Sequence, residues 1–406
     1  MQPSFQGTNK STEHSVIQPL DEILRQAVTQ GASDIHFETG ETEFRARFRI
    51  DGILHTAATP ALHLRDAMVS RLKVLARMDI AEKRIPQDGR IQYPYLGRTI
   101  DLRISSLPTL HGEKIVVRLL NISRERPSLE VLGYEADDQA RVLAAIARPH
   151  GMVLMTGPTG SGKTLSLYSC LELLNSPEVN ISTVEDPSEI QLPGANQVNI
   201  NERAGVTFAS TLRALLRQDP DIIMVGEIRD FETASIAIQA AQTGHLVLST
   251  LHTNDAPSTL ARLRHMGIEA FNVAASVILI VAQRLVRRLC NVCKQSATAT
   301  QTESWMHQLS AQDREAIGLA SRPSPTLYHA VGCNACDQGY KGRIGIYQVM
   351  PIDEPLQALI LENANTQALA LHATQHGVRT LRQAGWLKAL QGITSVQEVM
   401  TLTHHG

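Results

Sequence analysis

The sequence has few aromatic residues, almost no net charge and no long apolar segment. Phe, Trp and Tyr together make up 4% of its 406 residues, and the formal net charge is −2. Such a chain lacks the basic excess and the interleaved aromatic residues that are typical of direct nucleic-acid binding. No apolar run reaches the roughly 18 residues that a membrane span requires. The polar residues 1–18 also lack the apolar core of a signal peptide. We therefore expect a cytosolic protein with only a peripheral membrane role.

Cysteine is scarce, which excludes a disulfide-stabilised scaffold. Four of the five cysteines form two C-x-x-C pairs, Cys290 with Cys293 and Cys333 with Cys336, and 39 residues separate the pairs. Each pair can place two thiolates on one metal, so together they predict a closed, structural four-cysteine site for Zn²⁺. Four unrelated thiols or a redox dithiol are the alternatives, although neither pair has a thioredoxin-like context. The fifth, Cys170, is predicted to be a buried core residue.

The length indicates two or three domains, since a single core rarely extends beyond 250–300 residues. Changes in pattern along the sequence then divide it into segments. We predict a disordered tail over 1–17, an N-terminal α+β domain over 18–121, a linker over 122–134, a core with alternating strands and helices over 135–289, a zinc-binding subdomain over 290–345 and a C-terminal helical subdomain over 346–406.

Apolar strands alternate with helical segments in the central part of the chain, a pattern typical of an α/β fold with a mainly parallel sheet. The predicted strands cover residues 151–156, 181–185, 222–225 and 245–251. Polar residues follow each of them, and the carboxyl ends of parallel strands are where open α/β sheets bind ligands. The apolar run 273–282 is predicted to be a buried helix.

A phosphate-binding loop follows the first of these strands. It fits G-x-x-x-x-G-K-[ST] and consists of Gly157, Pro158, Thr159, Gly160, Ser161, Gly162, Lys163 and Thr164. Between a strand and a helix, such a loop directs backbone N–H groups and the helix dipole at a phosphate group. Lys163 would neutralise the β- and γ-phosphates, and the Thr164 hydroxyl would bind Mg²⁺. A chance glycine loop is the alternative, and the strand–loop–helix context argues against it.

Acidic residues follow two other predicted strands. Glu227 comes directly after strand 222–225, where it could polarise a water molecule or hold Mg²⁺ through water. The segment 183–189 ends in Glu189 and supplies further acids for Mg²⁺. Each of these acids could instead be a solvated loop residue. His252, at the end of strand 245–251, would more often be structural when considered alone.

Taken together, five motifs of the sequence resemble those of a known family. They are the phosphate loop, T-V-E-D-P at 183–187, L-R-x-x-L-R-Q-D-P-D at 212–221, G-E-I-R-D at 226–230 and G-H-L-V-L-S-T-L-H-T-N at 244–254. Their order is similar to that of the secretion ATPase superfamily, the type II secretion and type IV pilus motor ATPases. The resemblance extends over about residues 19–400.

This resemblance implies a RecA-like P-loop ATPase core, a smaller PAS-like N-terminal domain, and a homo-hexameric ring with ATP between the two lobes. It assigns phosphate and Mg²⁺ binding to Lys163 and Thr164, an Mg²⁺-proximal role to Glu189, catalysis to Glu227, and a γ-phosphate contact to His252. It also implies that Arg103 and Arg118, which the sequence alone does not single out, reach the phosphates from the N-terminal domain.

The resemblance further implies a motor on the cytoplasmic face of the inner membrane that powers assembly of a type IV pilus or a type II secretion pseudopilus. Its expected partner is the platform protein of that machine, without direct nucleic-acid binding. The cysteine pairs favour assembly over pilus retraction. Family members usually carry an extra N-terminal domain, so we expect a different docking mode here. A retraction motor, a DNA-handling RecA-like motor and a regulatory relative with weak ATPase activity are the alternatives.

Overall fold

A computed structural model describes residues 10–120, 127–319 and 325–403, with side chains of the first helix described from Val16 onwards. The chain divides into two compact units, Met1–Arg124 and Glu125–Gly406. Each unit has its own hydrophobic core. Among the helices of the described ranges, none is both long enough and apolar enough to cross a bilayer.

The first unit is an antiparallel sheet covered by helices. Its helices are α1 (Lys10–Thr29) and α2 (Arg65–Leu75), with a short 3-10 turn at Leu62–Leu64, and its strands are β1 (Asp34–Thr39), β2 (Phe44–Ile50), β3 (Ile53–Ala58), β4 (Gln87–Tyr95), β5 (Arg98–Thr109) and β6 (Gly112–Leu120). The strand order is β3-β2-β1-β6-β5-β4. In β2, Phe44, Ala46 and Phe48 are buried and the intervening arginines are on the other face, as the two-residue strand period requires.

The predicted disordered tail over residues 1–17 is wrong for its last part. Helix α1 begins at Lys10, and Val16 is already buried in the same core as Leu20 and Ile23. The polar composition concealed this helical spacing, and Pro19 lies inside the helix without ending it. The rest of that predicted tail, residues 1–9, lies outside the described residues.

The second unit is built around a mixed sheet. Its strands are β7 (Gly151–Thr156), β8 (Ile181–Glu185), β9 (Asn196–Asn199), β10 (Ile222–Val225), β11 (Leu246–Leu251), β12 (Val277–Leu289), β13 (Gln295–Ser296), β14 (Tyr328–His329) and β15 (Tyr340–Pro351). Its helices are α3 (Leu129–Leu132), α4 (Ala136–Ile146), α5 (Lys163–Leu174), α6 (Phe208–Leu215), α7 (Phe231–Gln242), α8 (Ala256–His265), α9 (Ala270–Ser276), α10 (Ala299–Met306), α11 (Ala311–Ala316), α12 (Glu354–Leu361), α13 (Thr366–Gln375), α14 (Leu381–Leu390) and α15 (Val396–Leu402), and a 3-10 turn spans Glu202–Ala204.

The main sheet has the order β15-β12-β7-β11-β10-β8-β9, with only the β15–β12 pair antiparallel. Strand β7 contributes Met152 and Leu154 to one hydrophobic cluster, and Val153 and Met155 to the other. Because both faces are covered, the strand is apolar at every position instead of at alternate positions. The predicted α/β class with a mainly parallel sheet is confirmed.

The four predicted core strands match β7, β8, β10 and β11, the last of which starts one residue later than expected. The predicted helix over 273–282 is wrong. Helix α9 ends at Ser276, and β12 begins at Val277, parallel to β7 and antiparallel to β15. A run that is apolar at every position has no hydrophobic periodicity that distinguishes a strand from a helix. The β-branched residues of this run were the better indication of a strand.

Helices α12–α15 follow β15, so the predicted C-terminal helical subdomain is helical from α12 onwards. Its first predicted residues, 346–351, belong instead to β15. Gly377 and Gly392 follow helix ends with positive φ angles, as expected. Gly385 was also predicted to end a helix, but it lies inside α14. A Cβ at this position would be 2.6 Å from Cγ1 of Val399 on α15, so glycine is required there by the close approach of two helices.

Candidate nucleotide site

The phosphate loop connects the carboxyl end of β7 to the start of α5. Gly157 has a φ of +149°, and a Cβ there would be 2.5 Å from the Gln283 carbonyl oxygen. Gly162 is the N-cap of α5 with a φ of +91°, and no side chain caps this helix. The loop conformation therefore needs these glycines, and the first N–H groups of α5 remain available to an anion.

Lys163 is buried within this loop. Its Nζ donates hydrogen bonds to the carbonyl oxygens of Gly157 at 2.7 Å and Pro158 at 3.1 Å. Burial lowers the pKa of Lys163 to about 8, and the negative charge of Glu227 partly opposes this effect. The ammonium group thus lies in a poorly solvated position, where an anionic ligand would stabilise its charge.

Glu227 and His252 lie at the carboxyl ends of β10 and β11. Oε2 of Glu227 is 3.6 Å from Nε2 of His252, and the guanidinium of Arg229 also contacts the Glu227 carboxylate. The pKa of His252 is lowered, first by burial and then by the positive charge of Lys163. Since β7, β11 and β10 are neighbours in the sheet, the structure brings Lys163, Glu227 and His252 to one edge.

The acidic segment after β8 is divided between the interior and the surface. Glu185 is buried, and both of its carboxylate oxygens accept hydrogen bonds from the Tyr168 hydroxyl, at 2.8 and 2.9 Å. Asp186 is 3.9 Å from Arg229. Glu189 is exposed in the loop after β8. Its role beside Mg²⁺ and Thr164 stays a prediction, whereas Glu185 is anchored to α5 through Tyr168.

Two residues of β12 that were not selected from the sequence contact the segments that follow β7 and β11. Nε2 of the buried Gln283 donates a hydrogen bond to the Ser161 carbonyl oxygen at 2.7 Å. Nη2 of Arg284 donates to the Asn254 carbonyl oxygen at 2.9 Å, and burial lowers the pKa of Arg284. In the sequence, Gln283 and Arg284 are distinguished only as a polar pair directly after an apolar run. The same pattern also fits the end of a helix.

Arg103 and Arg118 lie on the sheet of the first unit. They are directly opposite one another on β5 and β6, and Arg90 of β4 is opposite Arg103. Nε of Arg118 donates to Asp34 of β1 at 2.9 Å. Directly opposed like charges destabilise a sheet, so this row of three arginines favours binding of an anion. Contact of Arg103 and Arg118 with a nucleotide stays a prediction.

The four paired cysteines form one cluster in the second unit. Their Sγ atoms all lie within 4.8 Å of one another, including Cys290 to Cys333 at 3.9 Å, Cys293 to Cys336 at 3.7 Å and Cys333 to Cys336 at 3.6 Å. Four sulfurs bound tetrahedrally to zinc at 2.3 Å are separated by about 3.8 Å. The donor set and its spacing therefore fit a zinc ion closely. Cys170 is a separate, buried thiol, as predicted.

A phosphate loop whose lysine faces a strand-end glutamate and histidine, on a mainly parallel sheet, defines a P-loop ATPase core. Comparison with known families then identifies its group. The family model described as "Type II/IV secretion system protein" matches residues 9–401, and the chain belongs to this family.

Named relatives agree with this assignment. The chain is 51% identical over 389 residues to the "Type IV pilus assembly ATPase PilB" of Pseudomonas aeruginosa, covering 96% of this chain and 67% of that protein. The corresponding protein of Acinetobacter baylyi is 50% identical over 392 residues, with 96% and 67% covered. The "Type II secretion system ATPase E" of Vibrio cholerae is 46% identical over 389 residues, with 96% and 75% covered.

Solved structures with a similar fold include the pilus retraction motor PilT with bound ADP. That structure has a TM-score of 0.62 and 25% identity, and the match covers 94% of this chain and 96% of the other. The ATPase DotB of Legionella pneumophila has a TM-score of 0.68 at 20% identity, with 100% and 98% covered, and at that identity it supports the fold alone.

Proposed function

We propose that this chain hydrolyses ATP with Mg²⁺ as the energy-supplying subunit of a machine that assembles a type IV pilus or a type II secretion pseudopilus. The observation that carries the proposal is the convergence of Lys163, Glu227 and His252 at the carboxyl edge of one sheet. Together they supply groups that phosphoryl transfer to water requires: a cation, a carboxylate and a hydrogen-bond donor.

Binding begins at the loop. The N–H groups of α5 and the loop donate hydrogen bonds to the β-phosphate, and Lys163 exchanges its bonds with the Gly157 and Pro158 carbonyls for bonds to phosphate oxygens. The Thr164 hydroxyl would hold Mg²⁺, with Glu189 nearby, and the metal would neutralise charge on the phosphates. Gln283 keeps the loop in this conformation through its bond to Ser161.

Hydrolysis then depends on Glu227 and His252. The Glu227 carboxylate accepts a hydrogen bond from the attacking water, whose oxygen forms a bond to the γ-phosphorus as the bond to the β–γ bridging oxygen breaks. Burial and the nearby Lys163 lower the pKa of His252 in the free protein, and its ring N–H would donate a hydrogen bond to the γ-phosphate. Arg103 and Arg118 would supply further positive charge from the first unit.

The finer assignments rest on the relatives. The assembly and secretion ATPases are 46–51% identical to this chain, whereas the retraction motor is 25% identical, which favours the assembly role. The four-cysteine cluster, which we propose holds structural zinc, favours the same role. We further propose a homo-hexamer that acts at the cytoplasmic face of the inner membrane, with the platform protein of the machine as its partner.

A single substitution tests the catalytic part of this proposal. Glu227→Gln keeps the shape of the side chain but removes its charge, so we expect ATP binding with hydrolysis reduced at least about 100-fold. Glu232→Gln is the matched control, because Glu232 is an exposed glutamate on α7 that pairs only with the exposed Arg213 in the described structure. Equal hydrolysis by the two variants would contradict the assignment.

The biological role needs a cellular test. Deletion of the gene in the source organism should abolish surface pili or the export of secreted proteins, and the Glu227→Gln chain should not restore either one. Stimulation of ATP hydrolysis by DNA but by no membrane fraction would instead favour a DNA-handling motor.

A further inference from the structure

Two helices near the C-terminus bring a carboxylate and two imidazoles together at the surface. Asp353 is the N-cap of α12, His372 lies in the last turn of α13, and His376 is the C-cap of α13. One potential ligand atom of each residue lies within 4.8 Å of those of the other two. None of these residues takes part in the nucleotide site or in the cysteine cluster.

The distances within this group suit a small metal ion. Nε2 of His372 is 3.2 Å from Oδ1 of Asp353. Two ligands bound tetrahedrally to zinc at about 2.0 Å are separated by about 3.3 Å, so little movement is needed to place an ion on both atoms. The His376 ring stacks on the His372 ring with centroids 4.0 Å apart, and the His376 side chain is exposed and able to adjust.

The proton position on His376 also suits metal binding. Its Nδ1 is 2.9 Å from the carbonyl oxygen of His372. A carbonyl oxygen can only accept, so Nδ1 carries the proton and Nε2 keeps its lone pair. Metal-binding histidines usually have this arrangement, with the second ring nitrogen bonded to a backbone carbonyl or a carboxylate. The C-terminal end of α13 also favours a cation.

Asp353 is held in place by the start of the next helix. Its Oδ1 accepts a hydrogen bond from the Leu356 N–H at 2.9 Å, in addition to its contact with His372. A hydrogen bond between His372 and Asp353 alone would also join the two helices, but it would not involve His376. The protein contains such a two-residue pair elsewhere, since His307 lies 4.0 Å from Glu303 and both side chains are about three-quarters exposed.

We propose that Asp353, His372 and His376 bind a divalent transition metal, with zinc as the expected ion and water completing its coordination. Imidazole ligands favour zinc and related ions, whereas Mg²⁺ prefers oxygen ligands and would bind at the phosphate loop. The ion would join the start of α12 to the end of α13. Both helices contribute to the main hydrophobic cluster through Leu356 and Leu369.

The test counts zinc on the full-length chain. Equilibrium dialysis against free zinc, with the metal measured by mass spectrometry, should find one tightly held ion at the cysteines and a second, weaker one. Cys333→Ser should lose the tight ion and keep the weaker one. His376→Gln should keep the tight ion and bind the other at least about tenfold more weakly, since even the outer partners of metal ligands affect affinity by 10–100-fold.

His307→Gln is the matched control, because it removes an exposed histidine that has a carboxylate four residues away but no third ligand among the described residues. Its zinc content should equal that of the wild type. Melting curves recorded with a chelator check that His376→Gln is folded. Once the cysteine site is saturated, further zinc should raise the melting temperature of His307→Gln but not that of His376→Gln. Uptake of only the cysteine-bound ion by the wild type, or unchanged affinity in His376→Gln, would overturn the proposal. The number of zinc ions bound per chain does not depend on ATP hydrolysis, so it tests this proposal separately from the proposed function.

Discussion

Arg103 and Arg118 are directly paired across β5 and β6, so two guanidinium groups share one face of the N-terminal sheet. Within the described part of the chain, Asp34, on the far side of Arg118, compensates one of these charges through a hydrogen bond. Arg90 adds a third arginine to the row. An arrangement that is unfavourable in the absence of an anion is a reason to expect that an anion binds there.

Arg103→Gln should therefore separate activity from stability. We expect ATP hydrolysis to fall about 10³-fold, as for other arginines that stabilise the transferred phosphoryl group. The protein without nucleotide should be no less stable, and up to about 1 kcal/mol more stable, because a like-charge pair is removed. Hydrolysis assays and denaturant unfolding measure the two effects.

Arg98→Gln is the control, since Arg98 is exposed on the same strand but five residues from Arg103, and hence on the other face. It should leave ATP hydrolysis unchanged. A loss of stability without a loss of activity in Arg103→Gln would show that the arginine row is purely structural.

Nucleotide affinity should depend on pH through Lys163. Burial lowers its pKa to about 8 in the free protein, and a bound polyphosphate would raise that pKa again. Below pH 8 the ammonium is charged in both states and affinity does not change. Above pH 8 binding must take up a proton, so affinity should fall by about tenfold between pH 7 and pH 9. Calorimetry in buffers of different ionisation enthalpy would detect the proton.

Lys163→Arg provides the check on this prediction, because its guanidinium remains charged throughout the range. Its affinity, although weaker, should not vary between pH 7 and pH 9.

Lys163 also affects the stability of the free protein. Its pKa is lower in the folded than in the unfolded chain, so the unfolded chain binds more protons above pH 8, and this residue makes the stability rise with pH from about 8 to 10.

Gln283→Met should loosen the phosphate loop while keeping the side-chain volume. The Ser161 carbonyl would lose a buried hydrogen bond, which costs about 1–3 kcal/mol of stability. ATP affinity should fall about tenfold, with a smaller effect on the rate of hydrolysis at saturation, because Gln283 contacts the loop and not the reacting atoms. Fluorescent-nucleotide titration and steady-state kinetics distinguish these effects. A change confined to the rate would contradict this role.

Cys333→Ser should remove the tightly bound zinc and lower the melting temperature. Loss of one of four thiolates leaves an incomplete site, and structural zinc sites contribute directly to folding free energy. Cys170→Ala is the control, since Cys170 is buried on α5 and is not one of the four clustered cysteines. It should keep its zinc. Equal zinc content in both variants would exclude the four-cysteine assignment.

Local sequence patterns were sufficient where one segment determines its own structure. The strand before the phosphate loop, the loop and the helix after it lie where G-x-x-x-x-G-K-[ST] and its apolar flanks placed them. The two C-x-x-C pairs also met as expected, because metal-binding thiols are recognisable by type and spacing.

Features that depend on tertiary packing were not accessible in this way. Strand β12 is buried on both faces, so its apolar run carries no period, and it was predicted to be a helix. Its misassignment concealed Gln283, which reaches the loop from a strand 122 residues away in sequence. Glu185 and Glu189 belong to one acidic segment, yet only the structure shows that Glu185 points inward to Tyr168.

Strand β12 connects two distant parts of the second unit. It carries Gln283 against the phosphate loop and ends at Leu289, next to the first zinc-binding cysteine, Cys290. An extended chain rises about 3.3 Å per residue, so Gln283 and Cys290 are at most about 23 Å apart along this segment. The pairing register of β12 with β15 shifts between Arg287 and Leu289, which lies between the two residues. The contact with the phosphate loop and the first cysteine of the cluster are therefore carried by one continuous segment of backbone, although they are separate sites in the fold.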